Sequence, residues 1–171
     1  MRGYFDEACK VLFIDSSLYE FQYETIGERF ATLDNAAEMD GHILHINEDW
    51  VRNSINEEAE FDLRYIMYHE VRHIYQHRVI AEFEKTGRSS ELPVIILSWM
   101  QDFSVYIRNE GDEDSWQKNI SQSVEIDANA FANAMLLKHN LGARIAPGQE
   151  NIMPKAIVNM VKRLWKVTLK I

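Results

Sequence analysis

The sequence predicts an α+β fold in which a small antiparallel sheet occupies the N-terminal third and helices make up the rest. Before Trp50, several segments alternate apolar and polar residues, which is the period of a half-buried strand. After Trp50, apolar residues recur every three or four positions, which is the period of an amphipathic helix. An Asp40-Gly41 pair between two such segments predicts a β-hairpin, because both residue types tolerate the positive φ of a tight turn.

Within the N-terminal third, apolar spacing locates one helix and the candidate strands. Phe5, Cys9 and Leu12 recur at helical spacing, so we expect a short helix over residues 5–13. Alternation and the predicted turn together indicate strands over residues 19–23, 30–33, 36–39 and 42–47.

A long helix is expected to begin after Trp50 and to continue to Gly87. Ser54 or Asn56 can cap its N-terminus, because a short polar side chain there accepts a hydrogen bond from a free backbone N–H group. Acidic residues favour the positive N-terminal end of a helix. Three of them follow the candidate caps: Glu57, Glu58 and Glu60.

Three further helices are expected, over residues 92–107, 121–140 and 154–170. Pro93 lies at an early position of the first, where the fixed φ of proline suits a helix. Gly142 is expected to cap the second at its C-terminal end. Residues 109–119 are acidic and contain a glycine, so we expect a surface loop there.

The length and composition indicate one globular domain. A chain of 171 residues is long enough for a single well-packed core, and we expect residues 1–171 to form one domain. The one cysteine, Cys9, excludes an intramolecular disulfide and a zinc site made of thiolates. The N-terminus lacks the apolar run of a secretory signal, and no apolar stretch is long enough for a transmembrane segment. We therefore expect a cytoplasmic protein.

The charge is unevenly distributed along the chain. The formal net charge is −9, and all 27 acidic residues precede position 151, which argues against direct binding to nucleic acid. The predicted C-terminal helix, over about 154–170, is basic and amphipathic. Such a helix fits a membrane surface or a partner protein, and packing against the acidic body is the interpretation that we favour.

A metal-binding pattern, His69-Glu70-Val71-Arg72-His73, falls inside the long predicted helix. Residues four apart lie on the same helix face, so both imidazoles can reach one ion. Glu70 lies beside that face, where its carboxylate can act as general base on a water at the metal. Taken alone, the pattern also fits two histidines that share a polar helix surface by chance.

A catalytic zinc site needs a third protein ligand and an open fourth position. His77 is about 12 Å from His69 along a helix axis, so we expect it behind the ligands or on the surface. Glu125, on the third predicted long helix, is the expected ligand, and Asn129 can accept a hydrogen bond from a ligand histidine. Asp127 lies on another face and is expected to be solvated. The alternative is a helix that packs through its alanines, with Glu125 merely exposed.

The two motifs together resemble those of a known family. His-Glu-x-x-His followed by Glu-x-x-Ala-Asn-x-Phe-Ala is similar to the gluzincin metallopeptidases, and most similar to the ImmA/IrrE family, over roughly residues 36–137. The resemblance implies a zincin-like fold and a zinc-dependent endopeptidase with one Zn²⁺ ion. Its substrate would be a protein or peptide, with a transcriptional repressor encoded nearby as one candidate. The alternative is a catalytically silent binding or toxin–antitoxin module, which Glu70 disfavours because such a module needs no general base.

The resemblance also implies an edge strand that binds substrate by strand addition. Six residues are expected to form it: His42, Ile43, Leu44, His45, Ile46 and Asn47. A peptidase also needs a hydrogen-bond donor to the oxyanion that forms on the substrate carbonyl, and the sequence does not choose among six candidates: Tyr65, Tyr68, Tyr106, His42, His45 and His139.

The chain departs from the family pattern in two places. Arg72 stands where the family usually has Gly, and its larger, charged side chain is expected to cover part of the cleft or to shift the helix contact. The stretch between His73 and Glu125 is longer than the family leads us to expect. Neither departure removes a candidate ligand or the candidate base. Both therefore concern the substrate and the efficiency of catalysis and not the presence of the site.

Overall fold

The structure, a computed structural model, describes residues 1–33, 35–55 and 59–168. The architecture is α+β, as the sequence predicts. The helices and strands follow in chain order: α1 (Arg2–Val11), β1 (Glu20–Glu24), β2 (Ala37–Asp40), β3 (Ile43–Asn47), α2 (Glu48–Asn53), α3 (Ala59–Thr86), α4 (Pro93–Ser104), α5 (Glu113–Ser121), α6 (Ser123–Lys138) and α7 (Met153–Thr168). Within these described ranges, no helix has the length and apolar character needed to cross a membrane.

The sheet is mixed, whereas the sequence pattern led us to expect an antiparallel one. Its strand order is β1-β3-β2, with β3 antiparallel to β2 and parallel to β1. The β2–β3 hairpin lies where predicted, although its turn residues are Gly41 and His42, and Gly41 has a φ of +62°. Alternating side chains identify a strand but carry no information about its direction, so the parallel pairing was not foreseen.

Two other N-terminal predictions differ from the structure. Residues 30–33 form no strand, and Phe30 makes only an isolated bridge with Ile26 while its side chain is buried in the core. Ser54 does not cap α3, because it ends the short helix α2. The other candidate cap, Asn56, and the acidic Glu57 and Glu58 lie outside the described residues.

The segment between α4 and α6 contains a helix that the sequence pattern missed. The predicted loop over 109–119 includes the start of α5, whose N-terminus is capped by Asp112, with its carboxylate accepting a hydrogen bond from Ser115 N at 3.0 Å. Gln122 is extended and separates α5 from α6. At its other end α6 is followed by Asn140 with a φ of +59°, so Asn140 rather than Gly142 takes the left-handed position next to the helix end.

The core brings α3 and α6 together. α3 packs against α6, α1, α4 and β2, and α6 also packs against α7. Ala128 and Ala132, on α6, are fully buried, so the small side chains let the neighbouring helix approach closely. The basic helix α7 buries Met153 and Met160, and its Arg163 forms an ion pair with Glu91. This arrangement agrees with packing of α7 against the acidic body.

Candidate metal centre

Helices α3 and α6 bring His69, His73 and Glu125 to one point. One ligand atom from each residue lies within 4.8 Å of the others. Glu125 Oε2 is 3.4 Å from His69 Nε2, and Glu125 Oε1 is 3.4 Å from His73 Nε2. The i, i+4 spacing on α3 places the two imidazoles on one face, and the contact between α3 and α6 supplies the carboxylate.

The donor set fits a zinc ion. Two imidazole nitrogens and one carboxylate oxygen form a borderline ligand set that suits zinc, and a catalytic site leaves the fourth position open. The three side chains are only 13%, 12% and 6% exposed, in the order His69, His73 and Glu125. They line a cavity of about 600 Å³, which provides room at the fourth position.

The carboxylate of Glu125 and the neighbouring imidazoles shift one another's pKa values. Burial alone would raise the pKa of Glu125, but the neighbouring His73 and His69 hold that pKa well below its usual range. Burial opposes protonation of His73, yet the Glu125 carboxylate outweighs it and raises the pKa of His73 to about 9. A buried anion that stabilises positive charge next to it is prepared to receive a cation.

Metal affinity is expected to rise with pH, by about tenfold from pH 7 to pH 8 and less steeply from pH 8 to pH 9. A metal ion binds the neutral imidazole, and His73, with a pKa of about 9, is protonated over most of this range in the metal-free protein. Well below that pKa each unit of pH raises the neutral fraction about tenfold, and the rise levels off as the pH reaches the pKa. The measurement is zinc titration against a competing chelator at several pH values.

The control for this pH dependence is Glu125→Gln. It removes the charge that raises the pKa of His73, so its weaker affinity is expected to level off above the ordinary histidine pKa of about 6.5. A wild-type affinity that stays constant from neutral pH to pH 9 would contradict the prediction.

Amide side chains meet the outer nitrogen of each histidine. His69 Nδ1 lies 2.9 Å from Asn129 Oδ1, which also accepts a hydrogen bond from the Tyr65 hydroxyl at 2.6 Å. His73 Nδ1 lies 2.8 Å from Gln76 Oε1. The sequence pattern pointed to Asn129 but not to Gln76. The available signal was the spacing, since Gln76 follows His73 by three residues and shares its helix face.

Glu70 lines the cavity beside the two histidines. Its residue is 8% exposed, and burial raises the pKa of its carboxyl group. A buried carboxylate with a raised pKa, facing a cavity next to a metal-binding cluster, has the environment of a general base.

Of the two alternatives for Arg72, coverage of the cleft was wrong, and so was the expectation that Asp127 is solvated. Arg72 is only 2% exposed and does not line the cavity, so it does not cover the cleft. Asp127 is not solvated, since its carboxylate pairs with Arg72 at 2.7 and 3.2 Å where α3 and α6 pack together. The aromatic rings of Tyr75, Trp99 and Phe131 surround the guanidinium group at 4.3, 5.7 and 5.6 Å. Burial of the pair between two helices explains why a sequence pattern on one helix did not reveal it.

A segment after α4 forms one wall of the cavity. The hydroxyl of Tyr106 donates a hydrogen bond to Glu125 Oε1 at 2.7 Å. The adjacent Ile107 is held by Gln122, which accepts from its N–H at 2.9 Å and donates to its carbonyl at 3.0 Å. Asn119 donates to the same carbonyl at 2.9 Å. These contacts hold Tyr106 over the three candidate ligands.

The structure narrows the candidates for the oxyanion donor. Tyr68 and His139 both bond to Glu7, at 2.8 Å each, and His45 is 3.1 Å from Glu24. His42 lies in the β2–β3 turn. The two candidates that line the cavity are Tyr65 and Tyr106.

His77 also lines the cavity, beyond the ligand cluster. Its imidazole stacks on the ring of Phe103, with centroids 4.1 Å apart, and it is exposed. It lies outside the group of three candidate ligands, as its distance along the helix led us to expect.

The predicted edge strand is not an edge. Five of its residues, Ile43, Leu44, His45, Ile46 and Asn47, form β3, the central strand, whose two sides pair with β1 and β2. His42 precedes the strand, and none of the six lines the cavity. The edge next to the cavity is β2, where Ala37, Glu38 and Met39 form part of the cavity wall. The hairpin was predicted correctly, but the position of its strands in the sheet depends on pairing with β1.

No protein-family model, no curated protein and no solved structure matches the chain.

Proposed function

We propose that the protein is a zinc-dependent endopeptidase, with one Zn²⁺ ion held by His69, His73 and Glu125. The observation that carries the proposal is the convergence of these three ligand atoms beside Glu70, at the wall of an open cavity. Two imidazoles and a carboxylate with a free fourth position are the ligand set of a catalytic zinc site.

The chemistry follows from the positions of the side chains. A zinc ion held by these residues would polarise a scissile carbonyl and lower the pKa of water to near neutrality. Glu70 takes the proton of the attacking water and passes it to the leaving amine, which its burial and raised pKa support. Asn129 would keep the imidazole of His69 directed at the ion.

Tyr106 is the residue that we assign to the developing negative charge on the substrate carbonyl oxygen. Its hydroxyl already lies within 2.7 Å of a proposed ligand atom. Burial and the Glu125 carboxylate raise the pKa of Tyr106, so the phenol stays protonated at neutral pH and can donate a hydrogen bond. Tyr65 is less suitable, because its hydroxyl contacts Asn129, at the outer nitrogen of His69, and not an atom that is itself a proposed ligand.

The edge strand β2 is the proposed binding site for an extended peptide. Asp40 and Ile43 flank a two-residue turn, so their backbone groups form a hydrogen-bonded pair. Hydrogen-bonded and non-hydrogen-bonded pairs alternate along an antiparallel ladder. The backbone groups of Ala37 and Met39 therefore face away from β3, and both residues line the cavity. A peptide that adds to this edge would run beside the metal-binding cluster.

The substrate class rests on the resemblance to the ImmA/IrrE family. We propose a protein substrate, with a repressor encoded nearby as the first candidate, and a cytoplasmic location. The net charge of −9 supports a substrate other than nucleic acid.

The test of the site is the metal content of purified protein. The wild type is expected to bind one equivalent of zinc, and His73→Ala is expected to lose it, because two protein ligands hold the ion far more weakly than three. His77→Ala is the matched control, since it removes an imidazole one helical turn away without touching the cluster. Equal zinc contents in the wild type and His73→Ala would refute the proposal.

A further inference from the structure

We infer that Gln76 is a positioning residue that fixes the orientation and tautomer of His73, and that the buried Arg72–Asp127 pair acts on the metal site through it. The inference rests on the proposed zinc site. Gln76 contacts the proposed ligand His73, while Asp127 contacts Gln76 and Arg72. None of these three residues is itself a proposed ligand.

The side-chain amide of Gln76 has one allowed orientation. Gln76 is fully buried, and its Nε2 donates to the carbonyl of Val124 at 3.0 Å and to Asp127 Oδ2 at 2.9 Å. Both partners only accept hydrogen bonds, so the NH₂ group must face them. A flipped amide would place its oxygen against a carbonyl and a carboxylate. Oε1 is therefore directed at His73 Nδ1, 2.8 Å away.

This orientation of the amide determines which nitrogen of His73 is free to bind a metal. Because Gln76 Oε1 accepts, Nδ1 of His73 must carry a proton, and the neutral ring has its lone pair on Nε2. His73 Nε2 is the atom that lies 3.4 Å from Glu125 Oε1 in the cluster. Gln76 thus holds the imidazole in the tautomer and rotation that metal binding needs.

Asp127 connects this amide to Arg72. Oδ2 of Asp127 accepts from both Gln76 Nε2 and Arg72 Nε, at 2.9 and 2.7 Å. Arg72 is held in turn among the rings of Tyr75 and Trp99. A chain of contacts therefore runs from the buried guanidinium through Asp127 and Gln76 to His73, separate from the Asn129 contact that holds His69.

The first test is zinc affinity in Gln76→Met, which keeps the volume of the side chain and removes its amide. Loss of a partner behind a ligand histidine is expected to weaken zinc binding by about 10- to 100-fold, and to change the absorption spectrum of the Co²⁺-substituted protein. The matched control is Gln149→Met. Gln149 is also a buried glutamine that donates to a carbonyl, Ile120 O at 2.7 Å, and it does not line the cavity. Its substitution is expected to lower stability but to leave zinc affinity unchanged.

The second test measures coupling. Asp127→Asn is expected to weaken zinc binding at least about threefold in the wild type, and to have no effect in the Gln76→Met background, because its influence passes through Gln76. If Gln76→Met does not fold, the single variant Asp127→Asn carries the test, since none of the hydrogen bonds or ion pairs of Asp127 in the described structure reaches a proposed ligand.

The outcomes separate this inference from the proposed function. A wild-type protein that binds no zinc overturns both. A wild type that binds zinc, together with unchanged affinity and an unchanged Co²⁺ spectrum in Gln76→Met, overturns the role of Gln76 alone. An equal effect of Asp127→Asn in both backgrounds overturns the path through Gln76, as does an absence of any effect of Asp127→Asn in the wild type.

Discussion

Glu70→Gln is expected to lower the rate of peptide hydrolysis at least about a hundredfold while zinc content stays at the wild-type level, since that is the scale of losing a positioned proton-transfer group. The substitution keeps the shape of the side chain and removes its basic carboxylate. Glu70 is not among the three proposed ligands, so the metal should remain bound. The measurement is cleavage of an unfolded protein or of a candidate repressor, together with metal analysis of the same samples.

The melting temperature provides a second readout for Glu70→Gln. Burial raises the pKa of Glu70 in the folded protein, so the charged carboxylate destabilises the fold as the pH rises through that pKa. When both proteins are free of metal, a neutral Gln should therefore give a melting temperature equal to or above that of the wild type. Glu82→Gln is the control, because Glu82 is an exposed carboxylate on the same helix. Hydrolysis that persists undiminished in Glu70→Gln would rule out the proposed mechanism.

Asp127→Ala is expected to lower the free energy of unfolding by about 3–5 kcal/mol, the scale for breaking a buried ion pair. The variant leaves the guanidinium of Arg72, 2% exposed, without its closest carboxylate. Glu91, whose Oε1 lies 3.6 Å from Arg72, already pairs with Arg163 and replaces that partner only in part. Since a domain of this size has a stability of about 5–15 kcal/mol, the loss is a large share of the total. The measurement is equilibrium unfolding in urea.

Two further variants show whether burial of the pair is the cause. Asp114→Ala breaks an exposed i, i+4 pair with Lys118, and its cost should stay within about 1 kcal/mol. The double variant Arg72→Met/Asp127→Leu removes both charges and should recover most of the stability that Asp127→Ala loses. If Asp127→Ala costs no more than Asp114→Ala, the pair between α3 and α6 does not hold these helices together.

The features that the sequence determined are those that depend on near neighbours in the chain. The spacing of four residues between His69 and His73 places them on one face of any helix that contains them, and the same holds for Glu125 and Asn129. The hairpin followed from a turn pair whose backbone preference is local. The α+β class followed from the change of period at Trp50. These properties are set within one or two turns of chain, so a single sequence is enough to read them.

The tertiary structure alone decided which elements became neighbours. β3 is central because β1 pairs with it in parallel, a contact between residues about 23 positions apart that alternation cannot encode. Asp127 and Arg72 are 55 positions apart. On its own helix each is a charged residue that sequence alone would place in solvent, and only the packing of α3 on α6 buries the pair. The inferred role of Gln76 in positioning His73 depends on the same helix contact, which supplies its partners Val124 and Asp127. Helix period determines the face on which a side chain lies, but packing between helices determines what that side chain meets, and hence whether a charge is solvated or buried.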